Sequence, residues 1–248
     1  MQKQYADSIV HLDVIIIFNF LLNTLHTEYD QLRVMKQSER GSVSLLRHRQ
    51  TGKKFVCRQF IGNALVYRSL LQFSCSHLPQ IIEVAEKDGQ VLVLEEYIQG
   101  DTLSFLLEGD VFSLAQARRI GRQLCQALWV LHAIGAVHRD VKPENVLLRG
   151  SDAVLIDFDA SRIHKPELKE DTQVLGTTGY AAPEQYGLSQ TDHRADIYSM
   201  GVLLNVLVTG HHPSQKLARG HMGRIIQKCT MTAPEKRYQT IQALMEAL

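Results

Sequence analysis

The spacing of hydrophobic residues changes its period at Gly100–Asp101, and this change constrains the fold more than any other feature of the sequence. Between residues 29 and 96, short β-branched and apolar runs alternate with turn signals, which is typical of strands. Only 63–73 has a helical pattern there. Beyond the change, Ser113 is a candidate N-cap for a long helix. Helical periodicity then covers three segments, 117–131, 196–208 and 222–229.

A strand-rich first part followed by a helix-rich second part predicts an α+β protein. We expect a bilobal fold with a small β-rich N-lobe at 27–96, a larger helical C-lobe at 97–248 and a cleft between the lobes. Within the C-lobe, the apolar runs 146–148 and 154–156 predict a small hairpin.

Residues 1–26 form an extension ahead of the predicted lobes. Its apolar run, 9–22, is interrupted by Asp13 and Asn19 and is shorter than the roughly 20 residues that a membrane-spanning helix requires. We therefore expect no membrane span, and instead an amphipathic helix that packs on the body of the protein or on a partner.

The composition bears on partners and compartment. The 248 residues carry a formal net charge of +1, without a basic run, which argues against binding to nucleic acid or to an anionic membrane. The four cysteines are too scattered for a zinc motif, and a chain of this length needs no disulfides. We therefore expect reduced thiols and a cytoplasmic protein. These cysteines are Cys57, Cys75, Cys125 and Cys229.

The run HRDVKPEN, residues 138–145, concentrates chemically active side chains. It contains Asp140, Lys142 and Asn145, and Asp157 follows the predicted hairpin. Together they offer a base, a cation and two oxygen ligands of the kind that magnesium prefers. Chance placement of four such groups at these offsets is improbable.

From about Tyr29 to Leu248 the sequence resembles the protein kinase superfamily, specifically the bacterial serine/threonine (Hanks-type) kinases. HRDVKPEN is similar to the catalytic loop, and Asp157-Phe158-Asp159 stands where the family has Asp-Phe-Gly. Further matching segments are 176–180 (GTTGY) in the loop that receives the substrate hydroxyl, 182–184 (APE), 196–201 in the central helix, and Arg237, which in the family pairs with Glu184.

The resemblance implies a role for each matching residue. Asp140 would accept the proton of a Ser or Thr hydroxyl, and Lys142 would steady the transferred phosphoryl group. Asn145 and Asp157 would hold Mg²⁺. Thr178 would contact both Asp140 and Lys142.

Arg139, next to the base, suggests regulation by a phosphate in the activation segment, because a guanidinium can clamp a phosphate. The first candidate for phosphorylation is Thr172 and the second is Thr177. The alternative is a structural arginine that bonds to nearby carbonyls.

The predicted N-lobe departs from the family at its nucleotide-binding motifs. Lys36 and Ser38 stand where the first two glycines of the glycine-rich loop are expected, and only Gly41 remains. Arg58 replaces the strand lysine, for which arginine is not equivalent. Tyr67 occupies the position of the helix glutamate that usually pairs with that lysine.

Glu95 stands at the gatekeeper position, which is usually apolar. Because a buried carboxylate needs a partner, we expect Arg58 to pair with Glu95 in place of the missing lysine–glutamate bridge. In the alternative, Glu95 points outward or the register is shifted by one, which makes Leu94 the gatekeeper. The residues implied in nucleotide binding are Gly41, Val43, Val56, Arg58, Glu95, Glu96 and Leu147.

The resemblance implies a kinase that uses ATP and Mg²⁺ to phosphorylate Ser or Thr hydroxyls of a protein substrate. The altered N-lobe keeps open a pseudokinase that binds or scaffolds with little or no turnover. A small-molecule phosphotransferase is a third class, which the activation-segment motifs disfavour.

Overall fold

The computed structural model describes residues 17–39, 41–163, 177–187 and 191–248. These fall into two compact units. The first contains the described residues up to Ser74 together with Pro79–Tyr97, and the second contains Cys75–Leu78 and Ile98–Leu248. The first is built on strands and the second mainly on helices, so the predicted bilobal α+β class is confirmed.

The first unit is built on a five-stranded antiparallel sheet with strand order β1-β2-β3-β5-β4. Two helices belong to the same unit, α1 described at 17–28 and the short α2. The elements are β1 (Tyr29–Ser38), β2 (Gly41–His48), β3 (Lys54–Ile61), α2 (Leu65–Leu70), β4 (Ile81–Lys87) and β5 (Gln90–Glu96).

Helix α1 packs on one face of this sheet. Phe18 and Leu21, which are 3% and 6% exposed, form an apolar cluster with Ala85 and Leu92. Arg49 Nη1 donates a hydrogen bond of 2.6 Å to the Thr27 carbonyl at the end of the helix, where carbonyls lack intrahelical partners. The helix is therefore fixed to the sheet by apolar burial and by a cap.

The opposite face of the sheet carries Arg58 and Glu95. Side chains alternate between the two faces of a strand. Ala85 and Leu92 pair with each other and face α1, whereas Arg58 pairs with Val93, the neighbour of Leu92. Helix α1 and the Arg58–Glu95 side chains thus lie on opposite faces.

Helix α2 is shorter than the predicted segment 63–73. Asn63 Oδ1 accepts a hydrogen bond of 2.7 Å from the Leu65 N–H, so the helix begins two residues later than its pattern. It buries Tyr67, whose ring lies 5.8 Å from that of Phe60 on β3.

The second unit is arranged around α4 and α5. The prediction for α4 is confirmed, because Ser113 Oγ accepts from the Gln116 N–H and Gln116 Oε1 accepts from the Ser113 N–H, forming a capping box. The helices of this unit are α3 (Leu103–Leu107), α4 (Leu114–Ala133), α5 (Arg194–Thr209), α6 (Gly220–Cys229) and α7 (Ile241–Ala247).

Short strands position the loops between these helices. The predicted hairpin is confirmed as β8 and β9, and β6 extends it to three strands. A second small sheet pairs β7 with β10. The strands are β6 (Asp101–Thr102), β7 (Ala136–Val137), β8 (Val146–Arg149), β9 (Asp152–Leu155) and β10 (Arg162–Ile163).

Segment Cys75–Leu78 belongs to the second unit because it is hydrogen-bonded to β9. The Leu155 N–H donates to the His77 carbonyl at 3.0 Å, and His77 Nδ1 lies 2.9 Å from the Ala153 carbonyl oxygen. His77 is buried. The predicted 27–96 lobe is therefore interrupted at this segment.

The connection from α5 to α6 is short, and one buried amide organises it. Asn205 Nδ2 donates to the carbonyls of His211 and Lys216, both at 2.8 Å, and Asn205 Oδ1 accepts from the Ala218 N–H at 2.9 Å. Close helix packing continues beyond it, since a Cβ at Gly201 would lie 2.4 Å from Cys229 Cβ.

Within the described residues, no helix combines the length and the apolar character needed to cross a membrane.

Candidate active site

Asp196 on α5 anchors the backbone of the loop that carries HRDVKPEN. It is fully buried, and its two carboxylate oxygens accept hydrogen bonds from the N–H groups of His138 at 2.9 Å and Arg139 at 2.8 Å. Arg139 has φ of 71°, a left-handed conformation that these bonds help to hold. Helix α5 therefore anchors this loop through Asp196.

The charge of Asp196 is also stabilised. Burial alone would raise the pKa of this carboxyl, but the hydrogen bonds from His132 Nε2 at 2.9 Å and from the Arg139 N–H at 2.8 Å outweigh it, and the pKa is lowered. Asp196 is therefore a carboxylate at neutral pH, which is the form that accepts two backbone bonds.

His138 supports the same loop from inside the core. It is completely buried and its ring packs edge-on against Phe158 at 5.7 Å. Burial lowers the pKa of His138, although Asp196 and other nearby carboxylates act to raise it. The imidazole is consequently neutral and serves to position the loop.

Asp140, Lys142 and Thr177 form a closed hydrogen-bonded triangle. Thr177 Oγ1 donates to Asp140 Oδ1 at 2.7 Å and accepts from Lys142 Nζ at 2.6 Å. Lys142 Nζ also lies 2.8 Å from Asp140 Oδ2. The side chains of Asp140 and Lys142 are 17% and 18% exposed, so the triangle is largely shielded from solvent.

The assignment of this contact to Thr178 was wrong. Thr178 lies one residue further along, in a turn where its side chain is exposed, and Thr177 fills the position between Asp140 and Lys142. The spacing of the motif does not distinguish two adjacent threonines, and only the backbone path of the turn decides between them. Thr177 is thus a site residue whose role sequence reasoning missed.

Asn145 is oriented so that its amide oxygen is available to a metal ion. Its Nδ2 donates to the Asp140 carbonyl at 2.8 Å and to Asp140 Oδ2 at 2.9 Å. Among the described residues, Asn145 Oδ1 accepts no hydrogen bond. The Ile156 N–H donates to the Asn145 carbonyl at 2.9 Å, which holds the segment leading into Asp157 beside this loop.

The donor set fits Mg²⁺. Asn145 and Asp157 supply an amide oxygen and a carboxylate, and Mg²⁺ is commonly held by one or two protein oxygens together with substrate phosphates and water. Asp157 has φ of 71°, a conformation uncommon outside glycine and typical of functional positions. In the part of the chain that the structure describes, no group of three or more His, Cys, Asp and Glu side chains could hold a metal by itself.

The end of the activation segment is fixed by a buried ion pair. Arg237 donates from Nη1 and Nη2 to the two oxygens of Glu184 at 2.6 and 2.8 Å, as predicted. Gln185, a residue that sequence reasoning did not identify, donates to the Arg139 carbonyl at 2.9 Å. The APE segment and the catalytic loop are therefore directly connected.

Arg58 and Glu95 form the pair that the sequence predicted in the first unit. Arg58 Nε donates to Glu95 Oε1 at 2.7 Å, and the two side chains are 6% and 3% exposed. Val56 pairs with Glu95 across β3 and β5, and Arg58 pairs with Val93, so both charged residues face the same side. Leu94 lies on the opposite face, so the alternative that placed Leu94 at the gatekeeper position is wrong.

The other predicted nucleotide-binding residues divide between the units. Val43 and Val56 are buried on the same face as Arg58, and Glu96 ends β5, where its N–H donates to the Gln80 carbonyl at 2.8 Å. Leu147 lies in the second unit, on β8 opposite Val154.

Gly41 cannot be replaced without moving its neighbours. It has φ of 155°, and a Cβ there would lie 2.0 Å from the Gln59 carbonyl oxygen. The last glycine of the loop is therefore required by its close approach to β3. Thr172 and Gly176 lie outside the described residues.

Comparison with known proteins agrees with this geometry. The family model for the protein kinase domain matches residues 29–247. The chain belongs to the protein kinase family. Its match includes the catalytic loop, Asp157 and the APE segment in a single stretch, so the resemblance stated from the motifs is confirmed.

Similar relatives are bacterial serine/threonine-protein kinases. PknD of Mycobacterium tuberculosis is 34% identical over 200 residues, which are 75% of this chain and 30% of that protein. PknA of Nostoc sp. is 29% identical over 220 residues, 79% of this chain and 39% of that protein. PknE of M. tuberculosis is 39% identical over 142 residues, which are 56% of this chain and 25% of that protein. This kinase chain thus matches less than half the length of each.

Proposed function

We propose that this protein kinase transfers the γ-phosphoryl group of ATP to serine or threonine hydroxyls of protein substrates. The observation that carries the proposal is the triangle of Asp140, Lys142 and Thr177, because it presents a carboxylate base and an ammonium side by side in a fixed geometry. The names of its relatives support the same acceptor class.

The hydrogen bonds of Asp140 indicate which of its oxygens acts as the base. Oδ2 already accepts from Asn145 Nδ2 and Lys142 Nζ, whereas Oδ1 accepts only from Thr177 among the described residues. A carboxylate oxygen has two lone pairs. Oδ1 therefore keeps one acceptor position for a substrate hydroxyl, and it would take the proton as the oxygen attacks phosphorus.

Lys142 and the metal ligands would act on the phosphate side. Lys142 Nζ would donate to the transferred group while Thr177 and Asp140 hold the ammonium in place. Asn145 and Asp157 would hold Mg²⁺, which neutralises charge on the phosphates when bound. Thr177 contacts both Asp140 and Lys142, so it would hold the base and the cation in a fixed relative position.

A pseudokinase is the second candidate function. It is favoured by two features of the first unit: the buried Arg58–Glu95 pair replaces the usual lysine–glutamate bridge, and buried Tyr67 occupies the place of the glutamate. Such a protein would keep the fold and the interaction surfaces without turnover.

One experiment separates these candidates. The purified chain is incubated with labelled ATP, Mg²⁺ and a panel of protein substrates, beside Asp140→Asn and a control, Asp110→Asn, at an exposed loop position. The proposal expects equal labelling by wild type and control, and a loss of about 10²–10⁴-fold in Asp140→Asn. Labelling that Asp140→Asn leaves unchanged would reject catalysis by Asp140. No labelling by any form, with ATP binding retained, would favour the pseudokinase.

We also propose where the chain works and what its extension does. All four cysteines are free thiols, and burial raises the pKa of Cys125 to about 12, so inert reduced thiols support a cytoplasmic location. Phe18 and Leu21 support docking of the 1–26 extension on the kinase's own sheet. Thr172 is the favoured activating phosphosite, because the Thr177 hydroxyl is engaged by Asp140 and Lys142.

A further inference from the structure

The exposed surface around α6 carries an excess of positive charge. Between residues 197 and 234 the sequence has four Lys or Arg residues and no Asp or Glu, although the whole chain has a formal net charge of only +1. All four of these residues are exposed. They are called here the α6 basic face, which consists of Lys216, Arg219, Arg224 and Lys228.

Helix α6 places two of these residues in one row. Its buried side packs on α5, where Cys229 meets Gly201. Arg224 and Lys228 are four residues apart, so they lie on the same face of the helix and about 6 Å apart along its axis. The row is therefore directed away from the core.

The connection from α5 holds the other two residues beside that row. Asn205 bonds to the Lys216 carbonyl at 2.8 Å and to the Ala218 N–H at 2.9 Å. The connection then passes against the first turn of α6, since a Cβ at Gly223 would lie 1.9 Å from the Ala218 carbonyl oxygen. Arg219 follows as the N-cap residue of α6. The four cations thus extend from one continuous and fixed stretch of backbone.

Among the described residues, no carboxylate forms an ion pair with this face. Lys228 Nζ lies 4.2 Å from the centroid of the Tyr238 ring, a contact that positions an ammonium without cancelling its charge. Arg237 in the same unit, by contrast, is paired with Glu184. The charge of the α6 basic face is therefore available to a binding partner.

The face also lies on a different side of α5 from the catalytic loop. Asp196, which anchors that loop, and Gly201, which packs against α6, are five residues apart and so about 140° apart around the helix axis. A ligand on the α6 basic face would therefore leave the triangle of Asp140, Lys142 and Thr177 accessible.

We propose that the α6 basic face is a docking surface for an acidic segment of the protein substrate. Alternate side chains of an extended peptide lie on one side, about 6.6–7 Å apart, which is close to the axial spacing of Arg224 and Lys228. Carboxylates at alternate positions would each meet a cation, and Leu217, at 40% exposure, would offer an apolar contact. The inference rests on the proposed function, because it assigns the docked segment to a substrate.

The amount of charge favours a peptide over other anionic partners. Four cations on a chain of net charge +1 match a short run of carboxylates. Nucleic acids and anionic membranes are bound through larger basic surfaces, because each phosphate or lipid contact adds only a small share of the affinity.

A second group of exposed cations, Arg119 and Arg122 on α4, is less suitable. Gln123 donates to Asp152 Oδ1 at 3.0 Å, and Arg119 lies one turn before Gln123 on the same side of α4. The Asp152 carboxylate therefore lowers the positive potential of that surface. Because these two arginines belong to the same unit as the α6 basic face, they provide a matched control.

The first test measures peptide binding to the full chain by fluorescence anisotropy. The probe is a labelled peptide of about twelve residues with alternating Glu and Ala, and its matched control has Gln in place of Glu. Arg224→Gln/Lys228→Gln should weaken binding of the Glu peptide by about 5- to 30-fold, the effect of losing two exposed charge pairs. The α4 control, Arg119→Gln/Arg122→Gln, should stay within about twofold of wild type.

Two measurements keep this test independent of any damage to the fold. Arg224→Lys/Lys228→Arg keeps both charges and should bind the Glu peptide like wild type. For the wild type itself, the Gln peptide should bind more weakly than the Glu peptide. Raising the ionic strength from about 0.1 M to about 1 M should remove this difference, because the screening length falls from about 10 Å to about 3 Å.

The second test joins each peptide through a flexible linker to a serine acceptor peptide and measures phosphorylation. The wild type should have a KM about 10-fold lower for the acceptor joined to the Glu peptide, because the linker gives a docked acceptor a millimolar effective concentration. Arg224→Gln/Lys228→Gln should lose this advantage, and the α4 control should keep it.

Equal binding of the Glu and Gln peptides, or equal losses in the α6 and α4 variants, would overturn the inference. Tighter binding of phosphatidylserine vesicles or of single-stranded DNA than of the Glu peptide would overturn it in favour of that partner. If both joined substrates are phosphorylated with the same KM, docking is rejected and the proposed function stands. If the Glu peptide binds but neither substrate is phosphorylated, the proposed function fails and the docked partner is not a substrate.

Discussion

Removing one partner of the Arg58–Glu95 pair should destabilise the kinase, whereas removing both should not. The two side chains are 6% and 3% exposed, so each charge depends on its partner in place of water. Glu95→Met or Arg58→Met alone should lower the free energy of unfolding by about 3–5 kcal/mol, which corresponds to a fall in Tm of about 6–20 °C for a chain of this size. The double variant, with two apolar side chains of suitable volume, should lie within about 1 kcal/mol of wild type or above it.

Urea denaturation followed by circular dichroism measures the free energy of unfolding of wild type, the two single variants and the double variant. The dependence of that free energy on urea concentration should be the same for all four proteins. Arg47→Met is the matched control, because Arg47 and Asp30 form an arginine–carboxylate pair in the same sheet with side chains 50% and 40% exposed. That exposed pair should contribute less than about 1 kcal/mol.

The reasoning fails if the single variants at positions 58 and 95 cost no more than the Arg47 control. It also fails if the two losses simply add in the double variant, because additivity would mean that the charges do not interact. A coupling energy of at least about 5 kcal/mol, the sum of the two single losses less that of the double variant, would agree with a buried and dependent pair.

Three further outcomes are expected. Thr177→Val should lower turnover by about 10- to 100-fold through loss of the contacts to the base and the ammonium, whereas Thr178→Val should stay within about twofold, in a steady-state phosphotransfer assay. Phe18→Ala should cost about 3–5 kcal/mol in urea denaturation and Phe20→Ala, at 70% exposure, less than about 0.5 kcal/mol; equal costs would contradict the packing of α1. Asp196→Asn should cost about 1–3 kcal/mol or more at neutral pH, and because the folded pKa is lowered this difference should shrink as the pH falls towards that value; a constant difference would argue against a charged anchor.

Much of the fold could be predicted from hydrophobic periodicity and from residues that cap helices. The long helix α4 was predicted because Ser113 and its apolar stripe agree, and the structure adds the capping box. Segment Cys75–Leu78 was not predicted to join the second unit, because its bonds to β9 connect residues about 76 positions apart and leave no local pattern. The start of helix α2 was predicted two residues too early, because the hydrogen bond from the Leu65 N–H to Asn63 Oδ1 leaves no trace in the hydrophobic pattern.

The functional site could be predicted where the chemistry of a position singles out one residue. It was ambiguous where two adjacent residues have the same side chain. Arg58 and Glu95 were paired from the sequence because each violates the usual chemistry of its position, and two buried charges of opposite sign compensate each other. Thr177 and Thr178 have the same side chain and differ only in backbone direction. The choice between them is made by the turn after residue 176, which motif spacing does not encode.

The hydrogen bonds from Asn205 to the α5–α6 connection have a practical consequence for the insertion of a reporter or a binding peptide into this kinase. The stretch between α5 and α6 looks like a free insertion point, since it connects two helices with few residues, yet a single amide inside the core ties it down at His211, Lys216 and Ala218. The turn at Gly150 is the better acceptor: it has φ of 62°, and nothing lies within 4 Å of where its side chain would begin. A sequence inserted there would extend from the turn between β8 and β9 and leave the packing of the helices unchanged.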